Sequence, residues 1–325
     1  MPNAVRMHAQ GGSDVLCYES IDSPRPRAGE IAIRHSAIGL NYIDVYHRSG
    51  AYPVPGFPSV IGLEGAGTVF AVGDGVSDLK IGDRVAYAAP PMGAYADERV
   101  MPAQQVVRLP DSIDFDTAAA MMLQGMTVQY LTHQTYQVQA GETVLLHAAA
   151  GGVGLIACQW LDHLGVKVIG TVGSEEKAQL AREHGCTHAI VYGKENVSER
   201  VRELTDGKGV PVVYDSVGQA TLECSLDSLS PRGLMVSFGA ASGPINSFDV
   251  GMLAKKGSLY MTRPTLMTYI EDSVNMQQMA NDLIAVVESG AVKVNINQRY
   301  ALADAARAHD DLEARKTTGS TILIP

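Results

Sequence analysis

From about Gly141 to Gly239 the chain repeats one pattern. Short apolar runs ("TVLLHA", "VKVIGTV", "HAIVY", "PVVYDSVG", "GLMVSFG") alternate with amphipathic stretches at Val153–Leu164, Glu175–His184, Asn196–Thr205 and Thr221–Ser230. Parallel strands cannot be joined by a tight turn and need a crossover of roughly a dozen residues or more. The alternation therefore predicts an α/β domain built on a doubly wound parallel sheet.

The residues before it read differently. "EIAIRHSAIGL" alternates like a strand, and "GTVFAVGDGVSDLKIGDRVAY" holds two strands broken by Gly/Asp turns. "MGAYADERVMPAQQVVRLP" follows the same rule, and the density of glycine suits a small, strongly bent barrel. After the parallel repeat come a helical pattern from Glu271 through Ser289, a strand-like "KVNINQRYAL", a helical Ala303–Glu313 and a closing "STILIP" expected to return to the first domain. A chain of 325 residues exceeds one ordinary core. The expected division is 1–125, 126–262 and a return segment 263–325.

Composition excludes several classes. The net charge of −10, without a dense Lys/Arg run, argues against a nucleic-acid surface. No window approaches the roughly 18 apolar residues of a membrane helix, and "MPNAVRMHAQGG" lacks the pattern of a signal peptide. The four cysteines are scattered with no CxxC pair, so neither a disulfide framework nor a cysteine zinc cluster is expected. A reducing cytoplasm is the simplest compartment.

"TVLLHAAAGGVGLIACQWLDHLG" reads as strand, tight turn and helix, with Val153, Ile156, Ala157, Trp160 and Leu164 on one helical face. Gly151 and Gly154 occupy the second and third glycine positions of G-x-G-x-x-G, and Ala149 stands in the first. This is the pattern of a dinucleotide loop, in which one glycine would admit a pyrophosphate and the other let the helix sit against the strand; the alternative is a tight strand-to-helix turn with no ligand. Ala150, Gly151, Gly152 and Val153 are the expected phosphate contacts, at a helix N-terminus. Alanine is tolerable in the first position if the turn there needs no positive φ. NAD sites place an acid at the end of the second strand. Here Val172, Gly173 and Ser174 stand there, with Lys177 one turn on, where it meets a 2′-phosphate or is an ordinary surface lysine. The expected cofactor is NADPH. Glu175 and Glu176 read as first-turn helix residues, and Tyr192 either flanks the phosphate or caps the sheet.

These motifs, with "AIGLNYIDVYHRSGAYP", "GLEGAGTV", "GDRVAY", "VVYDSVG" and "GSLYMTRP", make the whole chain resemble the zinc-independent quinone oxidoreductases of the medium-chain dehydrogenase/reductase superfamily, the branch that includes the ζ-crystallins. The resemblance implies a GroES-like bent β-barrel catalytic domain plus a Rossmann domain. Zinc-bearing relatives carry a Cys and a "GHE" histidine where this chain has Asn41 and Leu63, so no metal is expected. His35, His47, His147, His163, His184 and His188 are each expected at the surface or a sheet end. The retained Glu64 is expected to pair with a buried partner such as an arginine.

Without a Lewis acid, the hydride acceptor must already be electrophilic, and a quinone is. A tyrosine hydroxyl suits the nascent hydroquinone oxygen. The resemblance places Asn41, Tyr46 and Tyr52 beside nicotinamide and quinone, although Asn41 to Asp44 also has the spacing of a plain helix cap. It places Thr127 at the nicotinamide ribose or carboxamide. Ser216, Phe238 and Gly239 follow the fourth and fifth strands, and Arg263 and Pro264 would line the cleft. Reduction of α,β-unsaturated aldehydes or ketones is the rival activity; a binding or structural protein that retains the fold is the rival from another class. "KGSLYMTRP", Lys256 to Pro264, reads as a sheet edge through which family members form homodimers.

Overall fold

The structure, a computed structural model, describes residues 1–325. The chain forms two compact units: Met1–Met126 with Ile270–Glu288 and Val294–Pro325, and Thr127–Tyr269 with Ser289–Lys293. In the second unit Tyr269 stacks on Tyr130 with ring centroids 4.3 Å apart, so this unit extends past the expected boundary at 262.

The first unit is organised around the long strand Glu30–Leu40. Along one side it pairs with Glu64–Val72. On its other side its first half pairs with Glu98–Pro102 and its last residues with Ser320–Ile324. These two neighbours take successive stretches of the strand, and its register with Glu64–Val72 shifts at Ala32/Ile33 and at His35/Ala37. Residue 67 must be glycine at the second shift, because a Cβ there would lie 2.0 Å from the Arg34 carbonyl oxygen. Ile31, Ile33, Ile38, Val69, Val85, Tyr87, Met101 and Leu323 fill the barrel core. The closing strand Ser320–Ile324 pairs with Glu30–Leu40 in this unit.

One element departs from the expectation of a mostly β first part. Phe115–Gln129 is a helix, continued by a π-helical turn at Tyr130–Thr135. "AAAMMLQGM" has no polar face, and the helix is largely buried, so it carries no amphipathic period to read.

The second unit is the expected doubly wound sheet. Its six strands are all parallel, in the order His188–Val191, Lys167–Val172, Thr143–Leu146, Val210–Asp215, Leu229–Ser237, Tyr260–Thr262. The chain begins at the centre, winds to one edge, then crosses back and winds to the other. The reversal lies between Thr143–Leu146 and Val210–Asp215, and crevices at such switch points bind ligands.

Candidate active site

The switch point is built by five residues. The His147 N–H donates to the Tyr214 carbonyl oxygen at 3.0 Å and the Ala149 N–H to that of Thr171, also at 3.0 Å. The turn is thus stitched to the strands on both sides. Its left-handed residue is Ala148, with φ 57°, and not Ala149, which explains why alanine suffices in the first glycine position. Gly154 is required by contact: a Cβ there would lie 2.4 Å from the Ala148 oxygen and 2.6 Å from the Ala149 oxygen. The helix Gly152–His163 therefore starts hard against the turn, with Gly151 as an N-cap that brings no side chain. Its first N–H groups and the positive end of its dipole are what a phosphate would meet.

The other expected residues of this unit follow the carboxyl ends of the neighbouring strands. Gly173 and Ser174 follow Val172, and a Cβ on Gly173 would meet nothing within 4 Å. Ser174 caps the helix Glu175–Glu183, its Oγ accepting the Lys177 N–H at 3.3 Å, and Lys177 is half-buried in the first turn. Glu175 pairs with Lys194 at 2.7 Å, and the Glu176 carboxyl is held below its usual range by hydrogen bonding to Ser174. Both acids are engaged locally. Ser216 follows Asp215, Phe238 and Gly239 follow Ser237, and Arg263 and Pro264 follow Thr262. A Cβ on Gly239 would lie 2.4 Å from the Ser216 oxygen, so these two loops touch. Exposed Arg263 donates to the Ser237 carbonyl at 2.9 Å. Thr127 is buried on the helix Phe115–Gln129.

A buried chain that sequence reasoning missed ties these ends together. The Tyr192 hydroxyl lies 2.7 Å from His147 Nδ1 and 2.5 Å from Thr171 Oγ1. His147 Nε2 reaches Ser225 Oγ at 2.9 Å, and Ser225 donates to Asp215 Oδ2 at 2.7 Å. Asp215 also accepts from the Thr221 hydroxyl and from the N–H groups of Val217 and Gly218. Nothing in the spacing of these residues announces the chain, because it crosses four strands.

In the first unit the helix Tyr42–Ser49 opens with a capping box: the Asn41 N–H donates to Asp44 Oδ2 at 2.9 Å. One turn apart, Tyr42 and Tyr46 have ring centroids 5.4 Å from each other. Tyr52 folds back, its N–H donating to the Tyr46 carbonyl at 3.0 Å and its ring 5.1 Å from that of Tyr46. Both expected tyrosines are half-buried, side by side, and Tyr42 extends the aromatic row.

Asn41 is a cap and more. Its Nδ2 donates to Glu64 Oε2 at 2.6 Å and its Oδ1 accepts from Gln124 Nε2 at 3.2 Å. Glu64 is wholly buried, and its other oxygen takes the Leu123 N–H at 2.8 Å. The arginine expected beside Glu64 is not its hydrogen-bond partner. Buried Arg48 turns instead to Glu313 at 2.7 Å, and Arg99 lies over the Tyr87 ring. Two buried histidines also depart from expectation. His35 sits mid-strand, its ring nitrogens on the Ala96 carbonyl and the Tyr87 hydroxyl, and His47 is buried on its helix.

Asp44 and Glu64 are carboxyls without a cationic partner. Burial pushes Asp44 up to about 7 and Glu64 up to about 8. Asp44 Oδ1 has no hydrogen-bond partner and is the atom a proton would occupy. In the unfolded chain both groups ionise near pH 4. Between about pH 4 and 8 the folded chain therefore holds protons that the unfolded chain has lost, and stability falls as pH rises through that window. Asp44→Asn removes part of this dependence. Calorimetric Tm values at pH 5 and pH 8 should differ less in the variant than in the parent; an unchanged difference would mean that Asp44 is ionised in the fold.

Two family descriptions match: "Alcohol dehydrogenase GroES-like domain" over residues 27–111 and "Zinc-binding dehydrogenase" over 152–286. The chain is 56% identical to the "Quinone oxidoreductase" of Pseudomonas aeruginosa, with all of both chains covered. It is 43% identical to the "2-haloacrylate reductase" of a Burkholderia species, over 100% of this chain and 99% of that one. The crystal structure of Escherichia coli quinone oxidoreductase complexed with NADPH superposes with a TM-score of 0.98 at 48% identity, over 99% of this chain and 100% of that one. The residues present do not fit the zinc of the second family's name: nowhere are three His, Cys, Asp or Glu side chains grouped to hold a metal ion. With the barrel, the parallel sheet and full-length likeness in agreement, the chain belongs to the quinone oxidoreductases of the medium-chain dehydrogenase/reductase superfamily.

Proposed function

We propose that the protein reduces quinones with NADPH. The observation that carries the reading is the edge of the parallel sheet: a side-chain-free helix start, open space at Gly173 and no carboxylate closing the second strand. It is supported by the relatives named quinone oxidoreductase and by the NADPH complex of one of them.

When bound, NADPH supplies a hydride. In this reading Ala150, Gly151, Gly152 and Val153 hold the pyrophosphate, and Gly173, Ser174, Lys177 and Tyr192 surround the 2′-phosphate. Ser216, Phe238, Gly239, Arg263 and Pro264 line the rest of the cofactor's path, and Thr127 meets the nicotinamide side. Asn41, Tyr46 and Tyr52 receive the quinone: Tyr52 stacks on the flat ring, and the Tyr46 hydroxyl gives a proton or hydrogen bond to the oxygen that gains charge. The delocalised hydroquinone anion needs little further help, which suits a site whose residues do not fit zinc. The kinship with a 2-haloacrylate reductase keeps reduction of α,β-unsaturated carbonyl compounds as the second reading.

No helix is long and apolar enough to cross a membrane. We place the protein in a reducing cytoplasm on the scatter of its four free cysteines. Nucleic acid is not a partner we propose for so acidic a chain. The edge strand Tyr260–Thr262, with Tyr260 exposed, is where a second copy would extend the sheet into a homodimer. Light scattering at micromolar concentration should return twice the 34.5 kDa chain mass; a monomer there would refute the dimer.

A charge-assisted contact with a phosphate contributes roughly 1.5–3 kcal/mol, or about 10- to 150-fold in affinity. Fluorescence titration of Lys177→Ala should show a loss of that order for NADPH and almost none for NADH. Equal losses would leave the lysine a structural role only.

For the substrate, turnover should be faster on 1,4-benzoquinone and a naphthoquinone than on a 2-alkenal. Tyr46→Phe should lower kcat about ten-fold, or ~1.4 kcal/mol, more than it raises KM. Tyr52→Phe should be nearly silent and Tyr52→Ala should raise KM. Full activity in the Tyr46→Phe, Tyr52→Ala double variant would remove the tyrosines from the site.

A further inference from the structure

We propose that Tyr269 is a positioning residue for the nicotinamide half of NADPH: its ring, stacked on Tyr130, fixes the segment that carries Arg263 and Pro264 to the helix that carries Thr127. The inference rests on the reading of those three residues as part of the cofactor's path.

The helix Phe115–Gln129 runs into the π-helical turn Tyr130–Thr135, in which the Leu131 carbonyl takes the Tyr136 N–H, five residues on, at 3.2 Å. Such turns are rare and recur at functional sites. This one is held from outside. The Tyr269 ring lies nearly parallel to that of Tyr130, at 14° with centroids 4.3 Å apart, and its hydroxyl is 2.8 Å from Thr135 Oγ1. The Tyr214 hydroxyl donates to the Leu131 carbonyl at 3.3 Å. Tyr130 and Tyr214 are buried, and Tyr269 is half-buried. An aliphatic side chain would cover Tyr130 without fixing an orientation, whereas a stacked ring fixes both distance and orientation.

Each element fixed at this turn leads within a few residues to a residue of the cofactor reading. Thr127 is three positions before Tyr130 on the same helical run, Ser216 two positions after Tyr214, and Pro264 five positions before Tyr269. Arg263 is itself tied to the Ser237 carbonyl at 2.9 Å. The run from Arg263 to Tyr269 is therefore held at both ends, by the sheet at Arg263 and by the π-helical turn at Tyr269. All of these residues belong to the unit Thr127–Tyr269. The residues read as surrounding the 2′-phosphate follow Lys167–Val172 and His188–Val191, in the other half of the sheet from Val210–Asp215 and Tyr260–Thr262. Loosening Tyr269 should thus be felt by one half of the cofactor only.

The test is equilibrium binding to the full-length protein, read with two ligands. NADPH spans both halves of the sheet edge, and adenosine 2′,5′-bisphosphate carries only the 2′-phosphate half. Tyr269→Leu should weaken NADPH about five-fold in a fluorescence titration. Its Kd for adenosine 2′,5′-bisphosphate, measured by calorimetry, should change less than about two-fold. Tyr269→Phe keeps the stacked ring and should return the NADPH affinity to within about two-fold of the parent. A merely structural role predicts equal losses for the two ligands, or a lower Tm with no loss for either, and each of those results would overturn the proposal. If Tyr269→Leu does not fold, Tyr269→Met carries the same test, because it fills the space with a flexible chain that cannot stack as a ring does. Thr127→Val and Arg263→Ala separate this inference from the reading beneath it. Unchanged NADPH affinity in both would take these residues off the cofactor's path, and the inference with them. A loss in either, beside an unaffected Tyr269→Leu, would defeat the inference alone.

Discussion

The turn His147–Gly151 is hydrogen-bonded to the strands on both sides of the point where the sheet reverses direction, and the geometry of the nucleotide-binding edge follows from that. Two backbone bonds, to Tyr214 and Thr171, hold the chain at the switch point. Gly154 then lets the next helix begin against the carbonyls of Ala148 and Ala149. Any side chain at residue 154 would push the helix start outward and take its free N–H groups with it. The parallel arrangement does the rest: with six strands running one way, the loops after Leu146, Val172, Val191, Asp215, Ser237 and Thr262 all emerge at one edge.

Each unit holds a buried polar series. Under the sheet edge, Tyr192, His147, Ser225 and Asp215 are bonded in line, and Asp215 holds the loop that carries Ser216 by accepting the N–H groups of Val217 and Gly218. Burial keeps His147 on the neutral side, lowering its pKa against the opposing charge of Asp215. A neutral imidazole has one donor and one acceptor nitrogen, which suits a member of a directed series. In the barrel unit, Asp44 and Glu64 anchor the segment that bears Asn41, Tyr46 and Tyr52. Asp44 closes the capping box and accepts from the Tyr95 hydroxyl, which also meets His309. Such groups are costly to bury, and each is retained where it orients a neighbour.

Much of this was legible from residue order. Alternation in "EIAIRHSAIGL" marks the strand Glu30–Leu40 to the residue, and the helical face of Val153, Ile156, Ala157 and Trp160 marks the crossover helix. The helix Phe115–Gln129 was not legible, because a helix buried on all sides has no period in its polarity. Asn41 was legible as a cap, and the structure makes it one. Its partners were not: Gln124 is one polar side chain on that featureless helix, and Glu64 pairs with it through Asn41 rather than with an arginine.

Residue order by itself determined most of the elements and the loop that follows the first parallel strand, because periodicity and turn chemistry act over a few neighbouring residues. The family resemblance put Asn41 and Leu63 where zinc-bearing relatives carry Cys and His. Only the tertiary structure decided which polar groups are buried together. Glu64 is 59 positions from Leu123, and His147 is 78 from Ser225, yet each pair is in hydrogen-bond contact. Hydrogen-bond direction and desolvation depend on what surrounds an atom in space, and sequence separation says nothing about that.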